Sequence, residues 1–369
     1  MPSSPEPGRF RLDHAGLRDW LLELDPERLQ ALWSEADRVR RAHVGDAVHL
    51  RGLVEVSSHC VRHCLYCGLR APSTGLDRYR MEAGEILACA HEAVRLGYGS
   101  VVLQGGEDPG LGQAFIAGVV RVIKQETPLA VTLSLGERSD EDLRAWKSAG
   151  ADRYLLRFET SDPALYRRIH PDLPGIPSDR FAQLERMRDM GYEIGTGVMV
   201  GIPGQTWDTL AADILRFREY DMDMIGVGPF LPSPRTPLGG PAAETFLAAP
   251  EDQVPNDELT TLKAVALTRL VCPDANIPST TALATLDRAQ GRELGLMRGA
   301  NVVMPNVTPL PFRALYEIYP GKACLGETPA TCQGCLEGRL HALGRTIAKG
   351  PGGRIRTLCK DSVPCDFHH

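Results

Sequence analysis

The sequence predicts an α/β protein: a (β/α)8 TIM barrel with an N-terminal helical extension and a C-terminal cysteine-containing segment. Three observations lead there. Eight short apolar runs alternate with amphipathic stretches of helical period, a pattern that fits a closed barrel of parallel strands better than an open sheet. Two further amphipathic stretches precede the first run. The polar clusters follow the apolar runs, and such barrels carry their chemistry on the loops after the strands.

Taken in order, residues 1–11 are rich in Pro and Ser, lack the apolar core of a signal peptide, and read as a disordered tail. Leu17, Trp20, Leu21 and Leu24 recur at helical spacing, as do Leu29, Leu32, Trp33 and Ala36 beyond Asp25-Pro26. Residues 12–47 are therefore expected to form two helices packed on a barrel spanning 48–322. Strands are expected at 48–56, 100–104, 129–134, 154–158, 193–200, 224–228, 276–278 and 301–304. Pro273 and Pro278 bracket the seventh and weaken it as a strand. Helices are expected at 83–96, 113–125, 139–148, 178–190, 206–220, 257–270 and 292–298. Ser139 and Ser178 stand where N-caps belong, and Gly97, Gly150 and Gly191 where helices end. Residues 323–369 form the C-terminal segment.

With 369 residues and 43% apolar content, the chain can bury one large core. The net charge of -6, with basic residues scattered, gives no footprint for nucleic acid or an anionic membrane. No apolar run approaches the ~20 residues of a spanning helix, so a cytoplasmic protein is expected. In that compartment ten cysteines suggest metal ligands or core thiols before disulfides. Three lie at 60–67 and three at 324–335, while Cys89, Cys272, Cys359 and Cys365 stand apart.

Cys60, Cys64 and Cys67 form C-x3-C-x2-C directly after the first strand. Three thiolates on one loop can hold three irons of a 4Fe-4S cluster and leave the fourth iron open. The competing reading is zinc on Cys64, Cys67 and His59 or His63, although closed zinc sites normally show a second ligand pair nearby and none follows. After the second strand, Gly105 and Gly106 allow close backbone approach and Glu107 can pair with an ammonium; a tight turn with a surface acid is the plainer alternative. Ser134 ends the third strand. Arg157 and Glu159, two apart at the fourth, share a face and need a ligand or each other. The Gly-rich fifth strand around Met199 makes a poor dinucleotide fingerprint, because no helix opens directly after it. Thr280 and Thr281 follow the seventh strand, where hydroxyls can bind an anion or simply form a turn.

The cysteine spacing, with Tyr66 before the last cysteine, resembles the signature of the radical S-adenosylmethionine (SAM) enzymes. The resemblance implies a 4Fe-4S cluster on Cys60, Cys64 and Cys67 and a SAM molecule bound at its open iron. In that family SAM is split to methionine and a 5'-deoxyadenosyl radical. Gly105, Gly106 and Glu107 are similar to the segment that holds SAM's amino group, Glu159 to the ribose acceptor, and Arg180 to the partner of SAM's carboxylate. Tyr66, Ser134, Met199 and Leu231 would complete that pocket, with Leu231 and Met199 equally readable as core.

Further strings, among them Cys64-Leu65-Tyr66-Cys67-Gly68-Leu69-Arg70, Leu133-Ser134-Leu135-Gly136-Glu137 and Asn301-Val302-Val303-Met304-Pro305-Asn306, resemble the HydE-type maturases of di-iron (FeFe) hydrogenases. That likeness implies work on the hydrogenase H-cluster, with a cysteine-bound iron carbonyl cyanide precursor as the organometallic substrate. Arg157, Thr280, Thr281 and Tyr316 are then candidates for gripping it. It also implies reduced flavodoxin or ferredoxin as electron donor and other hydrogenase maturation proteins as partners. Cys324, Cys332 and Cys335, in C-x7-C-x2-C, resemble the accessory cysteines that hold a second iron-sulfur cluster in such proteins; a zinc site or free thiols is the alternative. Rivals are a biotin-synthase-like enzyme, which would need cysteines on the barrel strands, a methylornithine-synthase-like mutase, and a non-catalytic iron-sulfur carrier. A carrier has no use for Gly106, Glu107, Glu159 and Arg180.

Overall fold

The structure, a computed structural model, describes residues 10–356. Most of the expected tail, together with Cys359 and Cys365, falls outside them. Two helices open the described chain, α1 (His14–Leu22) and α2 (Pro26–Val44). Asp13 and Asp25 cap them by accepting the Gly16 and Arg28 amides at 2.8 and 2.9 Å. Leu17, Leu21, Leu29, Leu32 and Ala36 are buried as their spacing requires. Leu24 is 71% exposed, because α1 has already ended at Leu22. Phe10 stacks on Trp20 at 4.9 Å, so packing begins inside the stretch expected as tail.

The barrel follows as β1 (Ala47–Ser57), α3 (Ala83–Arg95), β2 (Ser100–Gly105), α4 (Gln113–Glu126), β3 (Ala130–Ser134), α5 (Asp140–Ser148) and β4 (Arg153–Leu155). It continues through α6 (Pro163–Ile169), α7 (Arg180–Asp189), β5 (Glu193–Val200), α8 (Trp207–Glu219), β6 (Met224–Pro229) and α9 (Glu258–Val271). Short elements complete it: α10 (Thr281–Leu286), α11 (Gly291–Met297), β7 (Val302–Val303), α12 (Leu310–Leu315), α13 (Pro329–Ala342) and β8 (Thr346–Ile347). The strands pair in parallel in the order β6-β5-β4-β3-β2-β1-β7, with β8 beside the start of β1. Helices on the outside of a curled parallel sheet give the TIM-barrel-like α/β fold that the alternation predicts.

Three elements differ from expectation. Residues 276–278 form no strand; they touch the sheet through one bridge to β6 at Asn276 and one to β7 at Pro278. Pro278 has no N–H to extend a ladder, and side chains take over, with Asn301 accepting the Ile277 amide at 2.8 Å and donating to Asn276 at 3.0 Å. β4 stops at Leu155 rather than Phe158, and pairing with β5 resumes only at a bridge from Glu159 to Val198. Ser178 does not cap α7: Asp179 does, accepting the Ala182 amide at 2.9 Å, while the Ser178 hydroxyl donates to Glu137 at 2.6 Å.

Beyond β8 the chain crosses the end of the barrel where the strands begin. Arg153 donates to the Pro351 carbonyl at 2.9 Å, Arg51 to Gly352 at 3.1 Å, and Arg354 pairs with Asp274 at 2.7 Å. That crossing covers the base and leaves the chemistry to the opposite rim.

Candidate functional site

The cysteine loop leaves β1 at Ser57 and is fastened from both sides. The Gly106 amide donates to Ser57 at 3.1 Å and the Val61 amide to the Glu107 carbonyl at 2.9 Å. A Cβ on Gly106 would stand 2.1 Å from the His59 carbonyl oxygen, so only glycine allows this approach. On the other side Gly68 donates to Ile318 at 2.8 Å. Cys64 is buried and Cys60 and Cys67 are half-buried. Burial lifts the Cys64 thiol to about 12 and pushes Cys60 and Cys67 upward as well. Three thiols that resist ionisation alone suit a cationic metal core that supplies the compensating charge.

A chain of buried charges backs the loop. Arg62 pairs with Glu107 at 2.7 Å and Glu137 at 3.2 Å, and Glu137 in turn pairs with Arg180 at 3.0 Å. Burial raises the Glu107 carboxyl above its usual range, and both its oxygens are engaged, one by Arg62 and one by the Glu137 amide at 2.9 Å. Arg180 also donates to the Arg157 carbonyl and lies 2.6 Å from His170 Nε2. Burial, then the facing Arg180, drives His170 down to about 2, which leaves its ring a neutral acceptor. Arg180 is only 9% exposed, held among Glu137, His170 and the Arg157 carbonyl. Gly106, Glu107 and Arg180 are not among the residues that line the cavity.

The cavity itself, of about 350 Å³, lies within the strands. Tyr66, Cys67, Gly105, Ser134, Glu159, Met199 and Leu231 face it, and so do Arg157, Thr280, Thr281 and Tyr316. Arg157 Nε sits 3.0 Å from both Glu159 carboxylate oxygens, with Nη2 donating to Val198 at 2.7 Å. Glu159 has φ 63, a left-handed backbone uncommon outside glycine, which marks a site where local strain is held by surrounding contacts. Thr280 caps α10 and Thr281 opens it, so the hydroxyl pair is placed by a helix start. The Tyr316 hydroxyl accepts from Gln104 at 3.3 Å.

Sequence reasoning missed buried charges that line this cavity. Glu55, wholly buried on β1, pairs with Lys322 and accepts from Asn306 at 2.9 Å. Arg51, Leu53 and Glu55 all face the cavity, as alternate residues of one strand must. Two charges at alternate positions inside an otherwise apolar run were the available signal. At the far end of the chain the second cysteine set does not converge: Cys324 and Cys332 come together with Glu327, and Cys335 is exposed. No helix among the described residues is long and apolar enough to cross a membrane.

Residues 54–217 match the radical SAM superfamily. The chain is 46% identical, over 95% of its own length and 99% of the relative's, to the [FeFe] hydrogenase maturase subunit HydE of Thermotoga maritima. It is 29% identical, over 80% of this chain and 79% of the other, to the 3-methylornithine synthase of Methanosarcina acetivorans. The crystal structure of methylornithine synthase (PylB) superposes with a TM-score of 0.78 at 25% identity, covering 92% of this chain and 95% of that one.

Proposed function

Since the chain belongs to the HydE-type maturases of the radical SAM superfamily, we propose that it acts in assembling the hydrogenase H-cluster, on a cysteine-bound iron carbonyl cyanide precursor held in the barrel cavity. One observation carries this reading. Tyr66 and Cys67 of the cysteine loop share one cavity with the cations Arg51, Arg157 and Lys322 and the hydroxyls of Thr280 and Thr281.

Cys60, Cys64 and Cys67 would hold the cluster, which when bound supplies the electron that cleaves SAM to methionine and a 5'-deoxyadenosyl radical. The backbone at Gly105 faces SAM's amino group. Glu159 accepts the ribose hydroxyls while Arg157 fixes its carboxylate, and Tyr66, Met199 and Leu231 flank the adenine. Glu107 and Arg180 act as positioning residues: their charges hold the cysteine loop and the turn carrying Glu159, and reach SAM only through them. Arg157 offers its remaining donors to the substrate's carboxylate, with Thr280, Thr281 and Tyr316 as neutral donors to the carboxylate or cyanide end. The segment from Tyr316 to Lys322 shuts the mouth and excludes water. Reduced flavodoxin or ferredoxin supplies the electron, and the product passes to other maturation proteins.

The test is a cell-free maturation mixture lacking its HydE component, supplemented with this protein reconstituted anaerobically. Hydrogenase activation, together with 5'-deoxyadenosine release that rises with the iron precursor, is expected. SAM cleavage stimulated by an amino acid, without activation, would place the protein with the mutases instead.

A further inference from the structure

Behind the turn that carries Glu159 sits a buried carboxylate with no cation beside it. Asp213, in the second turn of α8, is 0% exposed, and no Lys or Arg among the described residues pairs with it. Burial lifts its carboxyl to about 7, against the pull of hydrogen bonds from Ser161 and Gln205. A buried carboxylate is costly unless donors meet its oxygens, so the donors that do so show what the residue holds. One oxygen accepts the Ser161 amide at 2.5 Å and lies 3.5 Å from the Thr160 hydroxyl. The other accepts from Gln205 Nε2 at 3.2 Å. Gln205 is itself wholly buried and passes the contact on. Its Nε2 also donates to the Met199 carbonyl at 3.0 Å, and its Oε1 accepts the Gly201 amide at 2.7 Å.

Both segments held in this way lie where a barrel strand gives way to loop, and both pass through left-handed backbone. Glu159 has φ 63 two residues before Ser161, and Gly201 has φ 80 two residues after Met199. At Gly201 a Cβ would stand 2.3 Å from the Asn256 backbone, so the turn there admits only glycine. Strained backbone of this kind keeps its shape only where its surroundings hold it. Asp213 is the group to which both turns are tied, directly on one side and through Gln205 on the other. Neither Asp213 nor Gln205 lines the cavity, whereas Glu159 and Met199 do.

We infer that Asp213, acting with Gln205, is a positioning residue for the adenosine half of SAM: it locks the Glu159 turn and the Met199 segment at the separation that the ribose and the adenine require. The inference rests on the SAM pocket assigned above. The cysteine loop is fastened by Ser57, Glu107 and Ile318 instead, so loss of the Asp213 contacts reaches the nucleoside and spares the cluster.

The test is Asp213→Asn in the full chain, reconstituted anaerobically with iron and sulfide and reduced with dithionite. Asparagine keeps the shape and one acceptor, but in either orientation its amide meets a second donor, at Gln205 or at Ser161. Full iron loading is expected, with KM for SAM raised about tenfold, the low end of what a hydrogen bond to a charged group is worth, and kcat for SAM cleavage within about twofold of wild type. The inhibition constant of 5'-deoxyadenosine, which carries only the nucleoside half, should rise by the same factor. A lower kcat with KM unchanged, an unchanged 5'-deoxyadenosine constant, or reduced iron loading would overturn the inference. Gln205→Met enters the same network from its other end, and Asp213→Asn/Gln205→Met should bind SAM no more weakly than the weaker single variant, because losses within one network do not add. Additive losses would show two unconnected contacts and refute the link. Absence of SAM cleavage in the wild type would instead overturn the SAM pocket itself, and this inference with it.

Discussion

Replacing Lys322 with Met isolates the buried pair that closes the cavity. The Lys322 and Glu55 side chains are 5% and 1% exposed, and Asn306 is the remaining side-chain donor to Glu55 once the ammonium is gone. Removing one member of such a pair costs about 3–5 kcal/mol, because a charge is left buried without its partner. For a chain of 369 residues, an unfolding entropy of ~2.1 cal/mol/K per residue turns that loss into a fall in Tm of about 4–6 °C. One control separates the pair from simple packing. The double variant Lys322→Met/Glu55→Gln removes the stranded charge and should recover most of the loss. Differential scanning of the three proteins checks this. A single variant within about 1 °C of wild type, or a double variant no better than the single, would refute the reasoning.

Arg180→Ala should cost a similar about 3–5 kcal/mol of stability and lower Tm accordingly, because Glu137 and His170 lose a buried partner together; unchanged Tm with only weaker SAM binding would show that the arginine faces the ligand. Gly106→Ala should keep the circular dichroism of the fold yet load markedly less iron, since its Cβ would collide with the His59 carbonyl oxygen; full iron loading would mean that the loop yields more easily than its contacts suggest. His49 is driven from 6.5 down to about 4, by burial first and then by Arg51 and Arg153. The neutral ring is therefore the form the fold prefers: its contribution is present above pH 6.5 and is lost as pH falls from 6.5 through 4. His49→Gln should flatten Tm against pH across that window, and an unchanged slope would assign acid sensitivity to other groups.

The sequence by itself determined whatever depends on local order. Helical period placed Leu17, Leu21, Leu29 and Leu32 in the core, and the alternation of runs predicted the barrel, because side-chain direction in a helix or strand repeats at a fixed interval. Three cysteines within eight residues cannot avoid one another, so that loop was legible before any fold was known. The tertiary structure decided everything that depends on partners distant along the chain. Glu55 and Lys322 meet across 267 positions, and nothing in either neighbourhood announces the other. Arg180 opens a helix, and its buried partners Glu137 and His170 come to it from other elements. Residues 276–278 lost their strand because Pro278 cannot bond and the Asn276 and Asn301 side chains can. Cys335 keeps its spacing yet is exposed, while Glu327 stands beside Cys324 and Cys332, since a spacing fixes distance along the chain and not through space.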